Sequence, residues 1–163
     1  AVAFECPYEG KVSPSFVIDR AAELMSNEPG RLVIADTIGA ANPREVKSMM
    51  AELVTQHGAY RLGCHFHDTR AMGLANVFAA LDAGIRQFDS SAGGLGGCPF
   101  APGARGNVAT EDVVLLCESA GLSTGINIEA LLASVDCLSQ IIGSPQGGRS
   151  HLWLSDNWQK IAH

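Results

Sequence analysis

Short apolar runs alternate with longer amphipathic segments along most of the chain, and this alternation predicts repeated strand-then-helix units. The apolar runs at residues 2–4, 31–35, 61–67 and 86–92 have the length and composition of buried strands. Each of the four runs is followed by an amphipathic helical pattern, in the fourth case after a glycine-rich loop. Such strands alternating with helices are typical of a parallel sheet covered by helices. The pattern therefore predicts an α/β fold.

Capping residues mark several of the predicted helix ends. Asn42 is expected to cap a helix whose apolar positions form one buried stripe. Thr110 is expected to cap a shorter helix, with Glu111 and Asp112 in its first turn, where the helix dipole favours acidic side chains. A last amphipathic helix is predicted over residues 127–142.

The strand and helix units predict one structured region followed by a tail. Residues 1–142 carry the units, whereas residues 143–163 keep no clear period and are expected to form an irregular C-terminal tail. Two closures of the sheet fit the pattern: a doubly wound open sheet, or part of a (βα)₈ barrel. The units supply about half of the eight strands that a whole barrel requires.

Composition and charge exclude several classes of protein. The chain has 163 residues, of which 47% are hydrophobic and 17% charged, as in an ordinary globular domain. A net charge of -6 argues against a nucleic-acid surface. No apolar run approaches the roughly 18 residues of a membrane span, and no signal or transit peptide is recognisable. Five cysteines without framework spacing predict reduced thiols in an intracellular protein.

His65 and His67 are candidate metal ligands at the end of the third predicted strand. Residues two apart in a strand point to the same face, so the two imidazoles should project side by side. The alternative is one exposed and one core histidine, but the carboxyl end of a strand favours a site. Asn107 could add an amide oxygen, a hard donor suited to Mg²⁺ or Mn²⁺. Asp36 and Asp89 are further candidates, and Asp36 could instead serve a substrate or orient a neighbour.

Cys98 lies in a glycine-rich loop, residues 93–107, that follows the fourth predicted strand. Glycines let a backbone adopt unusual dihedral angles and approach a ligand closely. The thiol could be structural, a nucleophile, or a proton donor or acceptor. A nucleophilic thiolate normally needs a nearby histidine base, and the candidate histidines are expected on the metal. Proton transfer is therefore the favoured role.

Four sequence elements together resemble the 3-hydroxy-3-methylglutaryl-CoA lyase family, over about residues 3–142. They are Cys6-Pro7-Tyr8-Glu9-Gly10, Asp36-Thr37-Ile38-Gly39, His65-Phe66-His67-Asp68-Thr69, and GGLGGCPFAPGARGNVATED from Gly93 onward. The His-x-His element is shared across a wider group of metal-dependent TIM-barrel lyases and synthases. The Gly-Gly-Cys-Pro loop is more specific to the lyases.

The resemblance implies a partial (βα)₈ TIM barrel, roughly strands five to eight with their helices. It also implies cleavage of 3-hydroxy-3-methylglutaryl-CoA to acetyl-CoA and acetoacetate, a reaction of leucine degradation and ketone-body formation, with Mg²⁺ or Mn²⁺ as cofactor. By position, His65, His67 and Asn107 match the family's metal ligands.

The resemblance also assigns catalytic and substrate-binding roles. Cys98 matches the family's catalytic cysteine, and Glu111 matches an acidic residue near the site. The base for the substrate hydroxyl is expected to be His65 or a carboxylate outside this chain. Asp36 and Thr37 are expected to bind substrate.

Family members begin with an Arg-Asp-Gly strand that this sequence lacks. We therefore expect a C-terminal half barrel that pairs with a second copy as a homodimer. Its expected partner is an acyl-CoA substrate, without nucleic acid or membrane, in the cytoplasm of a bacterium or the mitochondrial matrix of a eukaryote. The alternatives are a related acyl-CoA or 2-oxo-acid aldolase or synthase, and an inactive truncated metal-binding module.

Overall fold

A computed structural model describes residues 1–97 and 106–160, which divide into two compact units. Ala1–Asp89 belong to the first unit, and Ser90–Gly96 with residues 106–160 belong to the second. The elements of the first unit are β1 (Glu5–Cys6), β2 (Gly10–Lys11), α1 (Pro14–Met25), β3 (Leu32–Asp36), α2 (Pro43–His57), β4 (Leu62–Phe66), α3 (Gly73–Asp82) and β5 (Phe88–Asp89). Those of the second unit are α4 (Thr110–Ser119), α5 (Ile128–Ile142) and α6 (His151–Asn157).

A three-stranded parallel sheet, in the order β3-β4-β5, is the centre of the first unit. Ala35 on β3 is in register with His65 on β4, which is in register with Asp89 on β5. Helices α1, α2 and α3 connect or flank these strands, and α2 buries Met50 and Leu53 completely. The α/β fold with a parallel sheet is confirmed.

Two predicted strands are shorter or displaced in the structure. Residues 2–4, predicted as a strand, are not a strand in the structure, although Ala3 N donates to Ala35 O at 3.0 Å. The chain then forms the antiparallel β1-β2 hairpin. The fourth strand is reduced to β5. Beyond it, Ser91 N donates to Val108 O at 3.2 Å, so the backbone pairs with the segment before α4.

Asparagine side chains cap the starts of α2 and α5, whereas α4 begins without a side-chain cap. Asn42 Oδ1 accepts a hydrogen bond from Glu45 N at 3.1 Å, which confirms the predicted start of α2. Asn127 Oδ1 accepts from Ala130 N at 2.9 Å at the start of α5. The Thr110 cap is wrong: α4 begins at Thr110 itself, and its hydroxyl instead shares a 2.8 Å hydrogen bond with Ser90 Oγ.

The C-terminal tail contains a helix where an irregular segment was expected. Leu154 on α6 is completely buried and packs with Val114, Ile128 and Leu132 from α4 and α5. The helix has only 7 residues, about two turns, so its apolar period is too short to read from the sequence. Within residues 1–97 and 106–160, no helix has the length and apolar character that crossing a bilayer requires.

Candidate metal and catalytic site

The imidazoles of His65 and His67 lie side by side at the carboxyl end of β4. Their ring centroids are 5.2 Å apart, and the rings meet edge to face at 66°. His65 is half-buried, whereas His67 is only 7% exposed. The i, i+2 spacing in an extended backbone produces this arrangement. The structure thus brings together two of the three sequence-predicted metal ligands.

His67 has the properties of a ligand held in its neutral form. Burial, and in second place the neighbouring His65, lower the pKa of His67 below its usual range. Its Nδ1 atom is buried and has no hydrogen-bond partner among the described residues. A buried imidazole nitrogen normally has a partner, and metals bind neutral imidazole. The ring therefore fits a divalent metal.

Cys64 precedes this pair, and its side chain is buried in the first unit. The residue is 1% exposed, and burial raises the pKa of the thiol to about 12. A protonated, shielded thiol is unreactive. Cys64 therefore has a packing role on β4.

Asp36 forms hydrogen bonds within the loop that follows β3, and Thr37 accepts one from the beginning of the chain. The Asp36 carboxylate accepts from Ala40 N at 2.9 Å and from Ala41 N at 3.0 Å, and the residue is 1% exposed. Thr37 Oγ1 accepts from Val2 N at 3.0 Å. These contacts shape the loop, and substrate binding by the two residues stays a prediction.

Asp36 should make stability depend on pH, because burial raises its pKa more than the two backbone hydrogen bonds lower it. The unfolded carboxyl titrates near pH 3.9. The folded protein therefore holds this proton more tightly, and the contribution of Asp36 to stability falls as pH rises from about 4 through its raised pKa. We expect the free energy of unfolding of Asp36→Asn, measured in urea, to lack this decline.

The matched control is Asp19→Asn, which removes an exposed carboxyl from α1. The difference in unfolding free energy between the unsubstituted protein and Asp36→Asn should vary with pH between about 4 and 7. A difference that stays constant over this range would contradict the assignment.

Asn107 belongs to the second unit, where hydrogen bonds to residues 95–96 of the glycine-rich loop hold it in place. Its Nδ2 donates to Leu95 O at 2.7 Å, and its backbone N donates to Gly96 O at 3.1 Å. The amide oxygen accepts no hydrogen bond from the described residues and is available as a donor to a cation. A Cβ on Gly96 would lie 2.9 Å from Nδ2, so glycine is needed for this close approach.

Glu111 is completely buried at the start of α4, and backbone N–H groups satisfy both carboxylate oxygens. Oε2 accepts from Gly93 N at 3.0 Å, and Oε1 accepts from Gly148 N at 2.6 Å. A carboxylate held in this way positions the backbone around it. Its sequence-predicted catalytic role stays a prediction.

Cys98 lies outside the described residues, so its predicted role rests on the sequence. Within the described ranges, no group of three or more His, Cys, Asp or Glu side chains forms a metal cluster. The predicted metal ligands are two imidazoles and an amide, so they contain fewer than three side chains of these four types.

The sequence did not indicate that Asp112 holds a distant segment of backbone in the second unit. Its Oδ2 accepts from Arg149 N at 2.9 Å, and its Oδ1 accepts from Ser150 N at 2.8 Å. The available signals were adjacent acidic residues at a predicted helix start and the Gly147-Gly148 pair, which allows a close backbone approach.

Comparison with known proteins identifies the family of this chain. The family model described as HMGL-like matches residues 1–137. Hydroxymethylglutaryl-CoA lyase YngG of Bacillus subtilis is 42% identical over 150 residues, which are 92% of this chain and 50% of that protein. (R)-citramalyl-CoA lyase of Chloroflexus aurantiacus is 43% identical over 143 residues, 88% of this chain and 45% of that protein.

A solved structure shows the same fold. The HMG-CoA lyase of Acinetobacter baumannii, in complex with coenzyme A and 3-methylmalate, is 40% identical, with a TM-score of 0.86 over 91% of this chain and 49% of that one. The chain spans about half the length of the curated relatives it matches. Its fold is that of part of the HMG-CoA lyase TIM barrel, as predicted. On this evidence the chain belongs to the HMGL-like family.

Proposed function

We propose that this chain acts in a carbon–carbon lyase that cleaves 3-hydroxy-3-methylglutaryl-CoA into acetyl-CoA and acetoacetate. The observation that carries the proposal is its 42% identity to a hydroxymethylglutaryl-CoA lyase over 92% of the chain. The paired imidazoles at the end of β4 support it from the structure, because they supply a site for the expected cofactor.

His65, His67 and Asn107 would hold the divalent metal, Mg²⁺ or Mn²⁺. Two neutral nitrogen donors and one amide oxygen suit an ion of this class. Among the described residues, neither the Nδ1 of His67 nor the amide oxygen of Asn107 has a hydrogen-bond partner, which supports the assignment. When bound, such an ion supplies a Lewis acid that lowers the pKa of a substrate hydroxyl.

The reaction breaks the bond between the carbinol carbon and the carbon next to the thioester. The hydroxyl proton passes to a base other than the three metal ligands, because an imidazole whose lone pair binds the metal cannot accept a proton. His65, the base predicted from the sequence, therefore acts as a ligand in this proposal. The carbinol carbon becomes the ketone of acetoacetate, and the electron pair of the broken bond moves into the thioester fragment. Cys98 then donates a proton from Sγ to that carbon, which yields acetyl-CoA.

Glu111 would act through the loop rather than by proton transfer. Both of its oxygens already accept backbone hydrogen bonds, and no part of the residue is exposed. Its proposed contribution is to hold Gly93, at the start of the glycine-rich loop, so that Asn107 can be positioned.

A second candidate activity is cleavage of citramalyl-CoA to acetyl-CoA and pyruvate. The 43% identity to (R)-citramalyl-CoA lyase favours it, and the same bond changes apply. The two substrates differ in the acid that leaves, acetoacetate or pyruvate. The expected homodimer and the cellular compartment stay predictions.

We expect the protein to release acetoacetate and acetyl-CoA from 3-hydroxy-3-methylglutaryl-CoA in the presence of Mn²⁺, with loss of activity on chelation and recovery when Mn²⁺ returns. Acetoacetate and pyruvate are measured in parallel with both thioesters. Preferential release of pyruvate from citramalyl-CoA would support the second activity. Release of neither acid from the metal-loaded protein would contradict both.

A further inference from the structure

Residues 146–151, which we call the strap, run between α5 and α6 and lie against the beginning of the glycine-rich loop. Residues 91–96, which we call the stem, comprise the two residues before that loop and its first four residues. A Cβ on Gly93 would be 3.3 Å from Gly147 N and 3.4 Å from Gln146 Cβ, so the two segments are in close contact. We propose that the strap fixes the stem, and that Asp112 and Gly148 are therefore positioning residues for the Asn107 amide.

Two adjacent carboxylates at the start of α4 hold the strap, and one of them, Glu111, also holds the stem. Glu111 bridges the segments, because one oxygen accepts from Gly93 N at 3.0 Å and the other from Gly148 N at 2.6 Å. Asp112 holds the next residues of the strap by accepting from Arg149 N at 2.9 Å and from both the N and Oγ of Ser150. Buried carboxylates need such donors, so both contacts strongly constrain the strap.

Gly148 makes this approach possible. A Cβ at this position would lie 2.5 Å from Asp112 Oδ2 and 2.6 Å from Ala109 Cβ. Both distances are well below van der Waals contact, and the Asp112 carboxylate is already held by its donors. Substitution by alanine must therefore separate the strap from the start of α4.

Both ends of the strap have anchors that do not involve Asp112. Ser139 Oγ accepts from Gln146 N at 2.8 Å, and His151 Nε2 lies 3.1 Å from Asp136 Oδ1. Leu154 is completely buried in the α4-α5-α6 cluster. Loss of the Asp112 contacts should consequently loosen the strap while α6 stays docked.

Hydrogen bonds of the stem connect the strap to Asn107. Gly94 N donates to Ser91 O at 3.0 Å in a tight turn, which joins Gly93 rigidly to the residues that follow. Leu95 O accepts from Asn107 Nδ2 at 2.7 Å, and Gly96 O accepts from Asn107 N at 3.1 Å. Hydrogen bonds, together with the short stretches of backbone between them, therefore connect Asp112 and Gly148 to the amide that would bind the metal.

The test measures amide hydrogen exchange in the whole chain, for Asp112→Asn and Gly148→Ala. Gly30→Ala is the matched control, because its Cβ would meet nothing within 4 Å and its φ is not positive. We expect the amides of Arg149 and Asn107 to exchange together at least about tenfold faster in both variants, and not in the control. Asp112→Asn decides the question if Gly148→Ala does not fold.

Faster exchange confined to residues 146–151, with Asn107 unchanged, would overturn the proposal, as would unchanged exchange at both sites. The metal part of the inference rests on the proposed function, and it predicts at least about fivefold weaker Mn²⁺ binding by both variants. If the unsubstituted protein binds no Mn²⁺, the proposed function fails, whereas the exchange result still decides whether the strap positions Asn107.

Discussion

Replacing His67 with alanine is expected to weaken Mn²⁺ binding by at least about 100-fold, since even residues that only orient a metal ligand contribute 10–100-fold. The ring is buried, its lowered pKa keeps it neutral, and its Nδ1 has no partner among the described residues. Isothermal titration of the metal-free protein with Mn²⁺ measures the effect directly. Acetoacetate release should fall with the lost affinity and recover in part at high Mn²⁺ concentration.

His57→Ala is the matched control, because His57 also has a buried ring nitrogen without a partner among the described residues but lies at the end of α2. We expect this variant to bind Mn²⁺ as the unsubstituted protein does. Urea unfolding of both variants separates lost binding from lost stability. Full Mn²⁺ affinity in a folded His67→Ala protein would remove the imidazole pair from the metal site.

Replacing Cys98 with alanine is expected to lower acetoacetate release by roughly 10²–10⁴-fold and to leave Mn²⁺ binding unchanged. The thiol is proposed as the proton donor to carbon, and it takes no part in holding the metal. Steady-state rates at saturating substrate, together with a Mn²⁺ titration, separate the two functions. The effect should appear in kcat, because proton transfer belongs to the chemical step.

The matched control is Cys137→Ala, which removes an exposed thiol from α5. We expect it to have normal turnover and normal Mn²⁺ affinity. Normal turnover in Cys98→Ala would exclude the thiol from the mechanism. A loss of Mn²⁺ affinity in that variant would make Cys98 a contributor to the metal site instead.

Features that depend on neighbours along the chain were predictable from the sequence. The Asn42 side chain reaches Glu45 N only three residues away, so the start of α2 follows from local capping rules. The imidazoles of His65 and His67 share a face because a strand alternates its side chains. The parallel sheet followed from short apolar runs separated by helical segments.

Features that depend on distant partners were not predictable. Glu111 and Asp112 fit the first turn of a helix, but their acceptor roles depend on Gly148 and Arg149, which lie 37 residues further along the chain. Thr110 has the residue type of a cap, yet its hydroxyl pairs with Ser90, 20 residues earlier. Pattern rules describe one segment at a time, whereas these bonds form only after two segments have packed.

The burial of Cys64 protects the thiol beside the histidine pair from oxidation. Peroxides attack thiolates, and a thiol whose pKa is about 12 carries almost none at physiological pH. The Cys64 thiol, which precedes His65 on β4, therefore resists oxidation to sulfenic or sulfinic acid. Damage would begin instead at accessible thiols such as Cys137, far along the chain from the histidine pair.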